Sequence, residues 1–445
     1  MSNRPIAIDL FCGAGGLAQG LTDAGFEVRW GLDNDEDAVR TYNHNHEGFA
    51  LKRDLKTFSP DDEKFNLNPQ GYKFSTTETD SLYIEPGEID LIAGGPPCPT
   101  FSKVGRSKIS SINGEPPERD ERHELYLDFL RLIEHYRPKA FMMENVEGIL
   151  TAENGEGEQV AKIIKNEMAD LGYRVDALKI NAADFGVPQH RVRAFFLANR
   201  LHKPNPDLTE WRTHRKPLRE EQKQLHRPGN KGIVSDQTTV TDWGVEPDNR
   251  FGKDVGKNTT RKPWITVGDA ILDLPPVSPD GEMPPKEATN YTIPPVSEYQ
   301  EWARDDDGEQ KGQTLYNHRS RGHNLYDLTL YKLLGEGVGW NIGEVGLDLQ
   351  PYREDIFTDK YKKQNPLEPA STIIAHLQKD GHMYIHPREA RSLTVREAAR
   401  LQSFRDSFIF PVAQTTAFRL VGNAVPPRLG EVIGKAVLDE VLSED

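Results

Sequence analysis

Four short stretches of the chain carry side chains whose type and spacing suit them to chemistry. The first, Asp9-Leu10-Phe11-Cys12-Gly13-Ala14-Gly15-Gly16, sets three glycines where an apolar run breaks off, so that a ligand can approach the backbone closely. Asp33 follows Gly13 by twenty residues, after a second apolar run, where a carboxylate can accept hydrogen bonds from ribose hydroxyls. Together they point to a nucleoside-containing cofactor, although a tight strand-helix turn with a solvated Asp gives the same pattern. The second stretch, Gly94-Gly95-Pro96-Pro97-Cys98-Pro99-Thr100-Phe101-Ser102, mounts a cysteine among prolines, which fix φ and remove amide donors. A thiol so held meets an electrophile along a defined line, and guanidinium groups nearby would lower its pKa. A lone cysteine is more often a small buried hydrophobe, and Cys12 is read that way. The third stretch, Glu144-Asn145-Val146, offers a carboxylate, with a helix cap or an ion pair as the plain alternative. The fourth, Gln189-His190-Arg191-Val192-Arg193, brings basic residues towards the same place.

The elements that must position these groups are visible as apolar runs. Residues 6–10, 89–93 and 140–143 are rich in β-formers and end abruptly in polar or Gly/Pro clusters, as buried parallel strands do, and 194–198 is a fourth such run. Leu125, Phe129 and Ile133 recur at helical spacing between them. The alternation predicts an α/β fold with an open, doubly wound sheet, in which ligands bind beyond the carboxyl ends of the strands, so the clusters converge on one crevice. From 201 to 385 the texture turns to Pro, Gly, Lys, Arg and Asp, which predicts a separate loop-rich domain. Amphipathic helical patterning returns at 392–404 and 428–442, so the chain is divided as 1–200, 201–385 and a C-terminal segment, 386–445, that rejoins the first domain. The stretch 59–87 reads as a surface insertion.

At 445 residues and 36% hydrophobic, the chain can bury a large core. The run 6–10 is too short for a signal peptide or a membrane span, so a soluble cytoplasmic protein with no membrane association is expected. Two cysteines, far apart, support neither a disulfide framework nor a thiolate zinc site, and no metal is expected. A net charge of −15 argues against indiscriminate coating of nucleic acid. Between Arg191 and Lys231, however, Arg193, Arg200, Lys203, Arg212, Arg215, Lys216, Arg219, Lys223 and Arg227 outnumber the acids, a stretch that suits phosphates or a solvated basic surface.

In this order the clusters resemble the C5-cytosine DNA methyltransferase family of the bacterial and phage restriction-modification type. The resemblance continues through Gln189-x-Arg191-x-Arg193, Arg391-Ser-Leu-Thr394-x-Arg396-Glu397-Ala-Ala-Arg400-Leu-Gln402-Ser-Phe404 and Gly422-Asn423-Ala424-Val425-Pro426-Pro427, and so spans residues 9–427. Pro99 departs from the family, which usually has Gln there, and bears on a polar contact beside the target base. The resemblance implies a Rossmann-like class I methyltransferase sheet with a second, smaller recognition domain. It implies S-adenosylmethionine as methyl donor, with Phe11 against adenine, Asp33 on the ribose, Asn34 beside the ring, Asp54 near the exocyclic amine and Gly13 and Gly15 along the methionine part. Pro97, Leu125 and Asn423 carry over as further pocket residues.

Carbon 5 of cytosine is too weak a nucleophile to take a methyl group unaided. The resemblance therefore implies attack of Cys98 at carbon 6, with Glu144 on ring nitrogen 3 and the exocyclic amine, and Arg193 on the carbonyl oxygen. Arg191 is implied to brace this catalytic pocket, an ion-pair role being the alternative. The cytosine must leave the duplex, with 103–122 as a mobile loop. Ser102, Arg106 and Gln189 are implied to face DNA, and His318, Arg319 and Arg321 to offer phosphate and guanine-edge donors from the recognition domain. The implied partners are double-stranded DNA and a cognate restriction endonuclease acting separately, the enzyme being a nucleoid-associated monomer. Three rivals remain: a transfer RNA cytosine methyltransferase, against which the large recognition domain speaks; a catalytically silent DNA-binding relative, against which Cys98, Glu144 and Arg193 speak; and a nicotinamide oxidoreductase, which leaves the Pro-Pro-Cys cluster unexplained.

Overall fold

The computed structural model describes residues 4–59, 84–97, 125–154, 157–218, 221, 261–277, 288–305, 314–335, 341–342 and 360–443. The run 6–10 is strand β1 (Ile6–Leu10), followed by β2 (Glu27–Asp33), β3 (Phe49–Lys52) and β4 (Leu91–Gly94). The runs at 140 and 194 are β5 (Ala140–Val146) and, after β6 (Arg174–Asn181), β7 (Val192–Asn199). These form one seven-stranded sheet in the order β3-β2-β1-β4-β5-β7-β6. The chain works outward from β1 to β3, then jumps back to β4. That switch point lies between β1 and β4, whose ends Leu10 and Gly94 pair directly, and is where a doubly wound sheet opens a crevice.

Helices α1 (Gly16–Ala24), α2 (Glu36–Asn45), α3 (Leu125–Tyr136) and α4 (Val160–Asp170) alternate with the strands. The spacing of Phe129 and Ile133 puts both on the buried face of α3, against Leu10, Ile92, Met143 and Phe196 of the sheet. Gly94 is glycine for want of space, because a Cβ there would stand 2.4 Å from the Leu10 carbonyl oxygen.

The chain divides into two compact units, Met1–Ile180 with Val192–Trp211 and Leu429–Asp445, and Asn181–Arg191 with Arg212–Arg428. In the second, β8 (His214–Arg215) pairs with β9 (Lys262–Pro263), and α5 (Val267–Ile271), α6 (Glu298–Arg304) and α7 (Leu325–Leu333) accompany the antiparallel pair of β10 (Ala288–Asn290) and β11 (Thr314–Tyr316). Helices α8 (Val395–Leu401) and α9 (Gln414–Asn423) complete it. The helix α10 (Pro427–Val437) returns to the first unit from Leu429 onward. There Gly430 and Gly434 let it lie close on α1, since a Cβ on Gly434 would come within 2.8 Å of the Ala24 Cβ. The segment 386–445 thus divides at 428, and the strap 181–191 joins the second unit, through polar contacts that hydropathy patterning does not register. Among the described residues no helix is long and apolar enough to cross a membrane.

Helix α8 is held by buried charge. Thr394 and Glu397 form a capping box, and both Glu397 oxygens accept from Arg391, at 2.8 and 2.7 Å. Arg400 is paired with Asp406 and Asp273. Burial alone would push the Glu397 carboxyl up, but the charges of Arg391 and His386 hold it well below the usual carboxylate range. A depressed folded value means the stabilisation is complete above the unfolded value, about 4.5, and is lost as pH falls below it. Glu397→Gln should therefore cost about 3–5 kcal/mol in urea unfolding at neutral pH. The gap between the variant and the natural chain should narrow on acidification below that value; an equal unfolding midpoint at neutral pH would contradict the stabilising role.

Candidate active site

Strand register lines up the chemistry of the first unit along one edge. Leu10 pairs with Leu32 and Gly94, and Gly94 with Met143, so Phe11, Asp33, Gly95 and Glu144 follow side by side. The chain leaves β1 through a sharp turn, with positive φ at Phe11 (56°), Gly13 (55°) and Gly15 (92°). Asp33 braces it: one carboxylate oxygen accepts from the Gly13 N–H at 2.9 Å and the other from the Asp35 N–H at 2.9 Å. Burial pushes the Asp33 carboxyl up, against the effect of these two N–H groups.

A carboxylate with two oxygens and one bond to each retains lone pairs for a diol. Beside Gly13 the space a Cβ would take holds no described atom within 4 Å. Phe11 is half-buried next to it, and Asn34 and Asp54 are exposed at the ends of β2 and β3. Leu125 opens α3, half-buried, and Pro97 is exposed. This donor set fits a nucleoside. Behind it lie two groups that sequence reading did not single out or left as inert. Asp9 is buried with Oδ2 lacking a hydrogen-bond partner among the described residues, and burial, then the charge on Asp33, pushes its carboxyl well up. Cys12 is buried, and burial, then Asp33, raises its thiol, which keeps it protonated and unreactive.

Glu144 and Arg193 meet across two strands that run in opposite directions. β5 and β7 are antiparallel, with Val146 opposite Arg193 and Glu144 opposite Phe195, so the two side chains are diagonal neighbours. Arg193 Nε lies 3.0 Å from Glu144 Oε1, with the two side chains only 15% and 14% exposed. Arg193 also donates to the Val192 carbonyl at 2.8 Å. Asn145, buried between, donates from Nδ2 to the Pro96 carbonyl at 3.2 Å and accepts the Val146 N–H. It ties the proline turn to β5, two residues ahead of Cys98. Sequence reading gave Asn145 no role, although its place between Glu144 and Val146 was the available signal. Cys98, Ser102 and Arg106 lie outside the described residues.

The remaining expected residues belong to the second unit, and several are corrected. Gln189, expected to face DNA, is 0% exposed. Its amide donates to the Leu401 carbonyl at 2.7 Å and to Gln402, and its oxygen accepts the Ile373 N–H at 3.0 Å. Gln402 in turn donates to the Val421 carbonyl at 2.6 Å. Arg191, expected to brace the catalytic pocket, is 2% exposed and donates from Nη1 to the carbonyls of Ile373 and Gly422, at 2.9 and 3.3 Å. It therefore braces the backbone just before Asn423, which is exposed at the end of α9. His318, expected to read DNA, is buried between Thr394 Oγ1 at 3.0 Å and the Pro275 carbonyl at 2.7 Å. Arg321 lies over the Phe418 ring and donates to the Leu377 carbonyl at 2.8 Å. Only Arg319 of that run's three is exposed. Gln189→Leu, which strands the Ile373 N–H and Gln402, should lower stability by about 1–3 kcal/mol in urea unfolding. A side chain used only on DNA would leave the unfolding midpoint unchanged.

The family model for C-5 cytosine-specific DNA methylases matches residues 6–439. The chain is 29% identical to the type II methyltransferase M.AgeI of Thalassovita gelatinovora, over 97% of this chain and 98% of that one. It is also 29% identical to the type II methyltransferase M.DdeI of Desulfomicrobium norvegicum, over 97% and 88%. The crystal structure of an E. coli prophage-encoded chain assigned as a DNA modification methyltransferase superposes with a TM-score of 0.62, at 22% identity over 99% of this chain and 100% of the other, which bears on the fold alone.

Proposed function

Because the chain belongs to the C-5 cytosine-specific DNA methylase family, we propose that it methylates carbon 5 of a cytosine within a specific double-stranded DNA sequence, after the base has left the helix and been attacked by Cys98. The methyl donor, S-adenosylmethionine, supplies a sulfonium-bound methyl group of high electrophilicity. Asp33 would accept the ribose hydroxyls, Phe11 would lie on the adenine with Asn34 and Asp54 at its edge, and the turn at Gly13 and Gly15 would follow the methionine part. Pro97 and Leu125 would line the remainder.

The Cys98 thiolate forms a bond to cytosine carbon 6, and the electron pair this pushes into the ring makes carbon 5 nucleophilic. Carbon 5 would take the methyl group from the donor's sulfonium, whose sulfur keeps the electron pair of the broken S–C bond as a neutral thioether; carbon 5 then loses its proton to solvent or a base, and the returning electron pair expels the thiolate. During addition negative charge builds on the ring. Glu144 shares one proton with nitrogen 3 and accepts from the exocyclic amine, and Arg193 donates to the carbonyl oxygen, so the charge that builds on the ring is met by groups already in place. The observation that carries this reading is the Glu144–Arg193 pair, assembled at the sheet edge beside a proline turn that Asn145 clamps just ahead of the cysteine. A stacked base cannot be reached by such groups, which is the reason for extrusion. The segment 201–385 is the target-recognition domain in this reading. The enzyme acts as a monomer on chromosomal DNA, with any endonuclease of the pair a separate protein.

Bisulfite sequencing of plasmid from cells expressing the protein should show fully protected cytosines confined to one short sequence. Cys98→Ala should abolish protection and Glu144→Gln should reduce turnover by about 10²–10³-fold. Protection persisting in Cys98→Ala, or scattered without sequence preference, would overturn the proposal.

A further inference from the structure

The reaction as described leaves α2 unused, yet the end of that helix bears directly on the glycine turn. Tyr42 and His46, one helical turn apart, pack with ring centroids 4.3 Å apart and planes tilted by 41°, and the His46 N–H closes the helix on the Tyr42 carbonyl at 3.1 Å. Their rings fill the space on the side-chain side of Gly15. A Cβ there would stand 2.1 Å from His46 Nε2 and 2.8 Å from Tyr42 Cδ2. Gly15 caps α1 at a φ of 92°, with its N–H on the Cys12 carbonyl at 2.9 Å. Tyr42 is fully buried and so is the Nε2 of His46. Burial holds the His46 imidazole down to about 4, with backbone hydrogen bonding to Gly15 and Ala14 acting in the opposite sense, so the ring that meets the turn is neutral at ordinary pH.

We propose that His46 is a positioning residue of the cofactor site: packed against Tyr42, it wedges Gly15 into place and so sets where the turn and the first N–H groups of α1 stand, without touching the cofactor. The inference rests on the reading of this turn as the S-adenosylmethionine site. A glycine is the residue most able to relax once a neighbour is withdrawn, and a binding backbone must be held to within about 0.5 Å by the side chains packed behind it. Asp33 fixes the turn at Gly13, and His46 does so at Gly15.

The test is isothermal titration of S-adenosylmethionine and S-adenosylhomocysteine into the full-length chain and its variants, with thermal melts and steady-state kinetics alongside. His46→Ala should weaken both ligands about tenfold and raise KM for the donor equally, leaving kcat at saturation unchanged. His46→Gln, whose amide nitrogen reaches the position of Nε2, should restore most of the affinity. Gly15→Ala alone should bind poorly, and Gly15→Ala combined with His46→Ala should bind at least as well as Gly15→Ala, because the overlap with the ring has gone. Should His46→Ala fail to fold, His46→Asn, which is polar but too short to meet Gly15, takes its place in both comparisons. Unaltered affinity without the ring, or losses that multiply in the double variant, would overturn the inference while leaving the cofactor site standing. Failure of the natural chain to bind either ligand would overturn the site reading, and the inference with it.

Discussion

An anion and a cation face each other at the edge of the sheet because one strand runs backwards. In the parallel part, β1 through β5, every carboxyl end emerges on the same side, which brings Phe11, Asp33, Gly95 and Glu144 together. β7 runs against β5, so its beginning meets the end of β5, and Arg193 arrives where Glu144 leaves. A parallel β7 would carry Arg193 to the opposite edge. Removing both charges from water is costly unless they are paired, and at 3.0 Å they are. The same register carries Asn145 to the Pro96 carbonyl, so the stiff turn before Cys98 is referenced to the strand that bears Glu144.

The second unit is built differently. Two of its helices are short, α8 having seven residues and α5 five. Buried hydrogen bonds and ion pairs take up the task of specifying one arrangement. Gln189, Gln402 and Arg191 tie the strap 181–191 to the segment around Ile373 and to the end of α9. At Gly422 the two backbones nearly touch, since a Cβ would meet Ala375 N at 2.3 Å. Arg391, Arg396 and Arg400 are fully buried, each spending its guanidinium on carboxylates or carbonyls of the same unit. Such groups are intolerant of partial substitution, because each loss strands a partner.

This contrast explains what could be read from the residues alone. β1, β4, β5 and β7 were legible because each is a run of apolar β-formers, yet their ends were not, and β6, which mixes charged and apolar residues, was not read at all. β5, expected to stop at Met143, continues to Val146 because Glu144 and Asn145 keep their backbone pairing with β7. Polarity ended the pattern without ending the ladder, so the candidate carboxylate stands on a strand and not in the loop beyond it. The glycine turn and Asp33 were legible because backbone geometry demands those residue types. The alternation Gln189, Arg191, Arg193 looked like one functional face, but the chain passes from the second unit to the first between 191 and 192. Two of the three serve as internal struts, a role hydropathy hides because a buried guanidinium and a solvated one count alike. The run at 318–321 misled for the same reason.

The proposed function has covalent attack on a flipped base at its centre, and a duplex with 5-fluorocytosine at the proposed methylation position tests it directly. Fluorine cannot leave carbon 5 as a proton does, so the enzyme should be caught, with methyl donor present, as a complex that survives denaturation and has the summed mass of protein, duplex and one methyl group. Efficient methylation of ordinary duplex with no such complex on the fluorinated one would contradict the account.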